Sequence, residues 1–228
     1  MKLYHYTNSD SVIKILTSEK IKFTLIEDLN DPFEFQFDAD PTNHKQFDKI
    51  LREQSAVFCC SKSPNNILML SHYANKHKGW FIEFEFNKNP SNKNIGAAHV
   101  EYDKPIPDLR EFFTNLDQAI LYKRDIDKIT KEYVDEQVMQ IVRRKHSDWH
   151  YEEETRLLLS KVGDKLYFDD LFLSIQECGL EIKAVYEGCK ISKQDREIVE
   201  KIIKTKSYPI DLKEAINNDS YKASNRVS

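Results

Sequence analysis

Short strand-like segments recur along this chain at irregular intervals, and they restrict its fold more than any other feature. In "GWFIEFEFNK", Phe84 and Phe86 alternate with Glu83 and Glu85, which is the period of a strand with one solvated face. Further strands are predicted at residues 2–7, 55–63, 98–102, 155–160 and 181–191. Residues 21–38 are predicted to form two strands separated by a break at 30–32, and residues 165–170 are predicted to pair with 155–160. Because strands and helices do not alternate regularly, as they do in a doubly wound fold, the order predicts an α+β fold with a mixed or antiparallel sheet.

Helices are predicted between these strands. The first follows a cap at Asn8, and others cover residues 43–54, 63–79, 106–147 and 193–204. Residues 106–147 form two helical segments that meet near Tyr122 to Asp127, and they resemble a helical insertion between two halves of a sheet. We therefore expect a single domain over residues 1–215 and a polar, disordered tail over residues 216–228.

Composition excludes several classes of function. The chain of 228 residues has only 5 Gly, and neither GxGxxG nor GxxxxGK[ST] occurs, which argues against a glycine-rich phosphate loop. Its formal net charge of -4 provides no overall basic field for nucleic acid, although a local basic patch remains compatible with it.

The cysteines and the N-terminus indicate a cytoplasmic protein. Cys59, Cys60, Cys178 and Cys189 show no zinc-type spacing, so no metal is expected, and the adjacent pair fits buried free thiols in an apolar strand. The N-terminus lacks the apolar region of a signal peptide, and no segment approaches the roughly 18 apolar residues of a membrane helix. We therefore expect no membrane partner.

The N-terminal strand presents a polar group just before the first helix. In "MKLYHYTNSD", His5 and Thr7 share one strand face with Leu3, and Tyr4 and Tyr6 occupy the other. His5 is interpreted either as a ligand-binding residue at a strand end or as a core histidine bonded to a neighbour.

Three consecutive glutamates form a second polar group. In "WHYEEETRLLL", Glu152, Glu154 and Arg156 share one strand face, while Glu153 and Thr155 point to the other. One interpretation is a solvated strand entrance with a surface ion pair, worth roughly 0–1 kcal/mol. The other is a carboxylate that arginine holds toward a ligand.

Two further segments supply candidates. Tyr73 lies on the inner face of the predicted helix 63–79, either as core or as an aromatic wall. In "LNDPFE", Asn30 and Asp31 form a turn before Pro32, which is either structural or a loop over a pocket that contributes Asn30, Asp31 or Glu34.

Five segments in order resemble the bacterial family DUF2971, whose function is uncharacterised. They are "LYHYT", "LNDPFE", "FCCSKS", "LSHYANKHKGWFIEF" and "WHYEEETR", and the resemblance runs from about Leu3 to Ser160 and more loosely to Glu181.

A more distant resemblance is to ADP-ribosyltransferase-like domains, which bind NAD between two small sheets. A strand with H-x-T is followed at once by a helix ending near "ILTSEKIKF", and His5, Tyr73 and Glu154 occur in the expected order. The resemblance implies an ADP-ribosyltransferase-like split mixed or antiparallel sheet with flanking helices. It also implies an NAD-binding or NAD-consuming enzyme of the glycosyltransferase class, used in antiphage defence or as a toxin.

The resemblance assigns residues to both roles. The implied catalytic residues are Glu154, then Glu152, and His5; the implied NAD-binding residues are His5, Tyr6, Thr7, Tyr73, Asn30, Asp31 and Arg156. NAD serves as substrate, no metal is required, and the macromolecular acceptor is left unspecified.

Two alternatives remain open at this stage. The basic run Arg143, Arg144, Lys145 and His146 beside Glu152 to Glu154 suggests a nucleic-acid-acting or nucleic-acid-sensing defence component. A noncatalytic binding module, whose polar segments serve the fold, is the third interpretation.

Overall fold

The computed structural model describes residues 1–87, 89–121, 136–161 and 164–215, which form a mixed α+β fold. The helices are α1 (Ser9–Ser18), α2 (Pro41–Gln54), α3 (Ile67–His72), α4 (Arg110–Leu121), α5 (136–143) and α6 (Lys193–Lys204). The strands are β1 (Lys2–Thr7), β2 (Lys20–Lys22), β3 (Thr24–Leu25), β4 (Ser55–Ser61), β5 (Trp80–Phe86), β6 (Ile95–His99), β7 (Glu101–Tyr102), β8 (Arg144–Lys145), β9 (Glu154–Ser160), β10 (Phe172–Ser174), β11 (Leu180–Glu187) and β12 (Asp211–Glu214). Short 3₁₀ helices cover Ile26–Asp28, Ser147–Glu152 and Phe168–Leu171.

The main sheet has the strand order β12-β11-β5-β1-β4-β9-β6, and β3 also pairs with β4. The pairings within it are antiparallel except for β11 with β12, which is parallel. The expected α+β class with a mostly antiparallel sheet and several helices is confirmed.

The pairing of β1 with β4 is much shorter than its neighbours. β1 pairs with β5 along its full length, and β4 does the same with β9. Between β1 and β4 the register contains one residue pair, Tyr4 with Ser61. The two halves of the sheet are therefore joined by little backbone hydrogen bonding at this point, and the site described below lies there.

Helices cover the sheet with amphipathic faces. α1 and α6 pack Val12, Leu16 and Val199 into a core that includes Leu3 of β1. α2, α4 and α5 contribute to a second core that includes Val57 of β4 and Leu158 of β9. The predicted helix at 193–204 is confirmed, and α2 begins two residues before the predicted start because Asp40 caps it and Pro41 occupies its first turn.

The predicted strand at residues 33–38 is wrong. The Asp31 carboxylate accepts a hydrogen bond from the backbone N–H of Phe33, and Phe35 adopts a left-handed φ of 60°. Phe35 and Phe37 are buried, but Phe33 is 67% exposed. A compact turn can bury alternate phenylalanines as a strand does, so the period of two misled the prediction.

The helix predicted at residues 63–79 is also too long. α3 ends at His72, and Asn75, Lys76 and His77 continue in a left-handed turn with φ between 46° and 68°. This turn brings Gly79 against β1, where an added Cβ would lie 2.3 Å from the Thr7 carbonyl oxygen. The chain therefore reaches β1 through a left-handed turn and not through a continuous helix.

Residues 165–170 do not form the predicted strand beside β9. β4 and β6 already occupy both edges of β9, and the segment instead contains the 3₁₀ helix Phe168–Leu171. Of the helical insertion expected at residues 106–147, the described residues form α4 and α5, but its last part is instead the strand β8, which pairs with β7. The predicted junction at residues 122–127 and the predicted tail at 216–228 lie outside the described residues.

Candidate functional site

A cavity of about 250 Å³ lies where β1 and β4 are joined. Its lining comes from β1, β4, the loop before α2, the end of α3 and the segment leading into β9. Among its lining residues are Tyr4, His5, Tyr6, Asp28, Asn30, Glu34, Cys59, Ser61, Met69, Tyr73, Lys145, Glu152 and Glu154. The weakly paired strands thus bring together residues from distant parts of the sequence.

His5 bridges the two strands with its side chain. Its Nδ1 lies 2.9 Å from the Cys59 carbonyl oxygen, and its ring stacks on Phe58 at a centroid distance of 4.4 Å. Burial lowers the pKa of His5, since a low-dielectric environment disfavours the charged imidazolium. Because a carbonyl can only accept, Nδ1 carries the hydrogen of the neutral ring, and Nε2 is the acceptor.

Arg156 and Glu154 form a buried, two-point ion pair within β9. Arg156 Nε donates to Glu154 Oε1 at 2.8 Å, and Nη2 donates to Glu154 Oε2 at 2.9 Å. Nη2 also contacts Glu34, and Nη1 donates to the Val142 carbonyl at 2.9 Å. Arg156 is 0% exposed and Glu154 4%, so of the two interpretations the solvated strand entrance with a surface ion pair is wrong.

Lys145 of β8 is the second cation of this group. Its Nζ lies 2.6 Å from Glu152 Oε2 and 3.0 Å from both Glu154 Oε2 and Glu34 Oε1. The ring of Trp149 lies beneath it, with the centroid 5.0 Å from Nζ. We call Glu34, Lys145, Glu152, Glu154 and Arg156 the charge cluster.

The charge cluster contains three carboxylates and two cations, and so carries one excess negative charge when all are ionised. Burial opposes ionisation of Glu154, but the charge and hydrogen bonds of Arg156, with the charge of Lys145, lower its pKa to about 2. Burial raises the pKa of Glu34 and Glu152 despite their cationic partners. The excess charge is thus reflected in two carboxyls that hold protons more tightly than usual.

Tyr73, at the end of α3, connects the charge cluster to the loop before α2. Its hydroxyl donates to Glu152 Oε1 and accepts from Asn30 Nδ2 at 3.0 Å. Burial, followed by the hydrogen bond to Glu152, raises the pKa of Tyr73 well above its usual value, so the phenol stays protonated.

Six of the predicted site residues line this cavity: His5, Tyr6, Asn30, Tyr73, Glu152 and Glu154. Three others lie outside the lining. Thr7 is buried opposite Trp80 at the end of β1, and Asp31 is buried in its own turn. Arg156 lies behind Glu154, where it holds that carboxylate instead of facing the cavity.

Of the three glutamates only Glu154 lies in β9, so the strand alternation expected for Glu152, Glu154 and Arg156 does not extend to Glu152. β9 begins at Glu154, Glu152 ends the 3₁₀ helix Ser147–Glu152, and Glu153 between them has a left-handed φ of 44°. This turn exposes Glu153 and directs the two flanking glutamates into the charge cluster.

The sequence does not identify Lys145 as a site residue, and it suggests Glu34 only as one of three residues that the loop could contribute to a pocket. In the sequence, Lys145 stands out only as part of the basic run that suggests nucleic acid, but it is 4% exposed. A signal was present, because "HYEEETR" places an excess of acid close to the chain's own basic run. Cys59 also lines the cavity, and burial raises the pKa of its thiol well above the usual value.

Two further structural findings concern the described residues. Among them, no group of three or more His, Cys, Asp or Glu side chains is arranged to hold a metal ion. None of the described helices has the length and apolar character needed to cross a bilayer.

Fold and site together define an α+β protein with an acidic, aromatic-walled cavity at the joint of a mostly antiparallel sheet. Residues 69–157 match the family model described as "Protein of unknown function (DUF2971)". This confirms the resemblance to that family over a range that includes Tyr73 and four of the five residues of the charge cluster, with Glu34 outside it. No curated protein and no solved structure gave a match.

Proposed function

We propose that this protein binds NAD in the cavity and consumes it in an ADP-ribosyltransferase-like reaction. The observation that carries the proposal is the charge of the lining: Asp28 and three carboxylates of the charge cluster face it with one cation, Lys145. The nicotinamide ring of NAD is positively charged, so such a cavity attracts the ring and disfavours a phosphate group.

The size and walls of the cavity support the same ligand. Its volume of about 250 Å³ is below the roughly 300–1,000 Å³ of pockets that hold a drug-sized ligand. It accommodates the nicotinamide ring and part of its ribose, with the phosphates outside. Tyr6 and Tyr73 supply aromatic faces, and a cation over such a face gains about 0.5–2 kcal/mol.

The chemistry uses groups that line the cavity. When the nicotinamide–ribose bond breaks, its electron pair passes to the ring nitrogen, and positive charge develops on the ribose. A carboxylate, Glu152 or Glu154, stabilises that charge while holding a ribose hydroxyl, and the neutral Nε2 of His5 accepts from another hydroxyl. A nucleophile of the acceptor, or water, then bonds to the ribose carbon and releases its proton.

The sheet supports the finer fold assignment that we propose, an ADP-ribosyltransferase-like split sheet. In such a fold the nucleotide lies between two half-sheets, and the single Tyr4–Ser61 pair between β1 and β4 is the corresponding weak joint. A role in antiphage defence or as a toxin rests on the same resemblance and follows only if NAD is consumed.

The nucleic-acid alternative loses part of its motivation. Lys145 is buried in the charge cluster, and Arg144 Nε donates to the Lys104 carbonyl, so the basic run is not one exposed patch. The noncatalytic module predicts instead that substitutions at His5 and Glu154 unfold the protein without any ligand being involved.

Isothermal titration with NAD, together with chromatographic detection of released nicotinamide, tests the proposal. We expect the wild type to bind and cleave NAD, and His5→Ala to lose binding while keeping the circular dichroism spectrum of the wild type. Lys165→Ala, on the exposed surface, is the matched control and should bind as the wild type does. The absence of NAD binding and nicotinamide release in the wild type would overturn the proposal in favour of a binding module.

A further inference from the structure

The three carboxylates of the charge cluster are not equally compensated. Glu34 and Glu154 each contact both cations, Arg156 and Lys145. Within the part of the chain that the structure describes, Glu152 contacts one cation, Lys145. The excess negative charge of the charge cluster is therefore assigned most directly to Glu152.

Glu152 and Glu154 also differ in which carboxylate oxygens are available to a ligand. Both oxygens of Glu154 accept from Arg156, and Oε2 accepts from Lys145 as well. Glu152 Oε2 is bound to Lys145, but Oε1 accepts from the neutral hydroxyl of Tyr73. A ligand hydroxyl can replace a phenol at Oε1 without separating any ion pair, whereas both oxygens of Glu154 are already bound to a cation.

We infer that Glu152, rather than Glu154, is the carboxylate that binds a ligand hydroxyl, and that this hydroxyl takes the place of the Tyr73 hydroxyl at Oε1. The inference rests on the proposed function, under which the hydroxyl belongs to the ribose next to nicotinamide. Glu34, Glu154, Arg156 and Lys145 then form a charge-balanced group of two carboxylates and two cations that keeps Glu152 in place.

The charge balance gives a physical reason to expect a functional role. A buried carboxylate without its full complement of cations destabilises the folded state, and replacing it with a neutral isostere relieves that cost. Residues that cost stability at a cavity wall are commonly kept for function. Glu152→Gln leaves two carboxylates and two cations, a balanced group.

The test compares three isosteric substitutions in adjacent glutamates. Glu152→Gln should unfold at the wild-type temperature or higher and bind NAD at least about tenfold more weakly, the loss expected for one hydrogen bond to a charged group. Glu154→Gln should lower the unfolding temperature by several degrees, because Arg156 loses its main partner. Glu153→Gln, which changes an exposed side chain, is the control and should change neither quantity.

The variant Tyr73→Phe distinguishes the role of the Tyr73 hydroxyl from that of the Glu152 carboxylate. The variant keeps the aromatic ring and removes the hydroxyl from Oε1, so NAD affinity should be unchanged or higher. A loss of affinity in Tyr73→Phe with no loss in Glu152→Gln would overturn the inference, since the phenol would then be the ligand-binding group.

Failure of the inference and failure of the proposed function give different results. If the wild type binds NAD and Glu152→Gln binds it equally well, the proposed function stands and the inference is wrong. If the wild type binds no NAD, the proposed function is wrong. The inference is then decided by thermal unfolding. A lower unfolding temperature for Glu152→Gln would make Glu152 a structural residue and overturn the inference. An equal or higher temperature would support the inference, because Glu152 is then not needed for stability.

Discussion

Arg156 Nε lies 2.8 Å from Glu154 Oε1 across two residues of β9, and both side chains are buried. Their pairing fixes the inner end of the charge cluster, and Glu152 and Lys145 extend from it toward the cavity. Removing a buried guanidinium that serves two carboxylates and a backbone carbonyl leaves those groups without a partner, which costs more stability than breaking a surface ion pair.

Arg156→Met should lower the free energy of unfolding by about 3–5 kcal/mol, because it leaves Glu34 and Glu154 buried with Lys145 alone. Urea denaturation followed by circular dichroism measures the change. Arg110→Met removes a solvent-exposed pair with Asp108 and should change the free energy of unfolding little by comparison. Equal effects of the two substitutions would contradict the burial of the charge cluster.

Gly79→Ala should destabilise the protein by about 1–3 kcal/mol, the usual cost of overpacking. The added Cβ would lie 2.3 Å from the Thr7 carbonyl oxygen and 2.8 Å from the Ala74 carbonyl carbon, both backbone atoms. Gly96→Ala is the control, since a Cβ there meets no atom within 4 Å. Thermal unfolding of the two variants should differ clearly, and similar unfolding temperatures would argue against the close approach of this turn to β1.

The folded state should lose stability as pH falls below 6.5, in part because of His5. Burial lowers the pKa of His5 from its usual 6.5, so the unfolded chain takes up a proton first and the folded state follows only at lower pH. His5→Gln does not titrate, and the wild type should therefore lose stability relative to this variant below pH 6.5. A difference that does not vary with pH would mean that His5 titrates normally.

Glu152 should have the opposite pH dependence. Burial raises its pKa above 4.5, so above that pH the unfolded chain loses the proton first and the folded wild type loses stability. The unfolding free energy of Glu152→Gln should therefore rise relative to the wild type as pH increases through and beyond 4.5. A gap that narrows over this range would show that Glu152 is stabilised as a carboxylate.

The cavity should prefer oxidised to reduced dinucleotide. Reduction removes the positive charge of the nicotinamide ring and with it a cation–π attraction of about 0.5–2 kcal/mol, or about 2- to 30-fold in Kd. Isothermal titration with NAD and NADH measures the ratio, and Lys165→Ala should keep it. Equal affinities would indicate recognition outside the acidic cavity.

Local sequence patterns correctly predicted the helices and strands in which the spacing of apolar residues corresponds to the buried face. α6 was predicted with its observed bounds, and the switch from β1 to α1 at Asn8 follows from a capping side chain that binds its own backbone. The same reasoning failed at residues 33–38, because burial of alternate phenylalanines does not distinguish a strand from a turn fixed by Asp31.

The candidate site was predicted only in part. His5, Tyr73, Glu152 and Glu154 were singled out by residue type and position, and the cavity brings them together. The role of Lys145 was missed because a lysine beside two arginines resembles a solvated basic run, and nothing local marks it as buried.

The sequence by itself determined the α+β class, most strands and helices, and the residues that carry polar chemistry, since these depend on local periodicity and side-chain type. The tertiary structure alone decided which charges meet. Arg156 contacts Glu34, which lies 122 residues away in the chain, because the sheet order places β9 beside β4 and the loop before α2 folds over them. Ion pairing in a buried cluster depends on distance in space and on exclusion of water, and neither quantity is encoded in any local stretch of the chain.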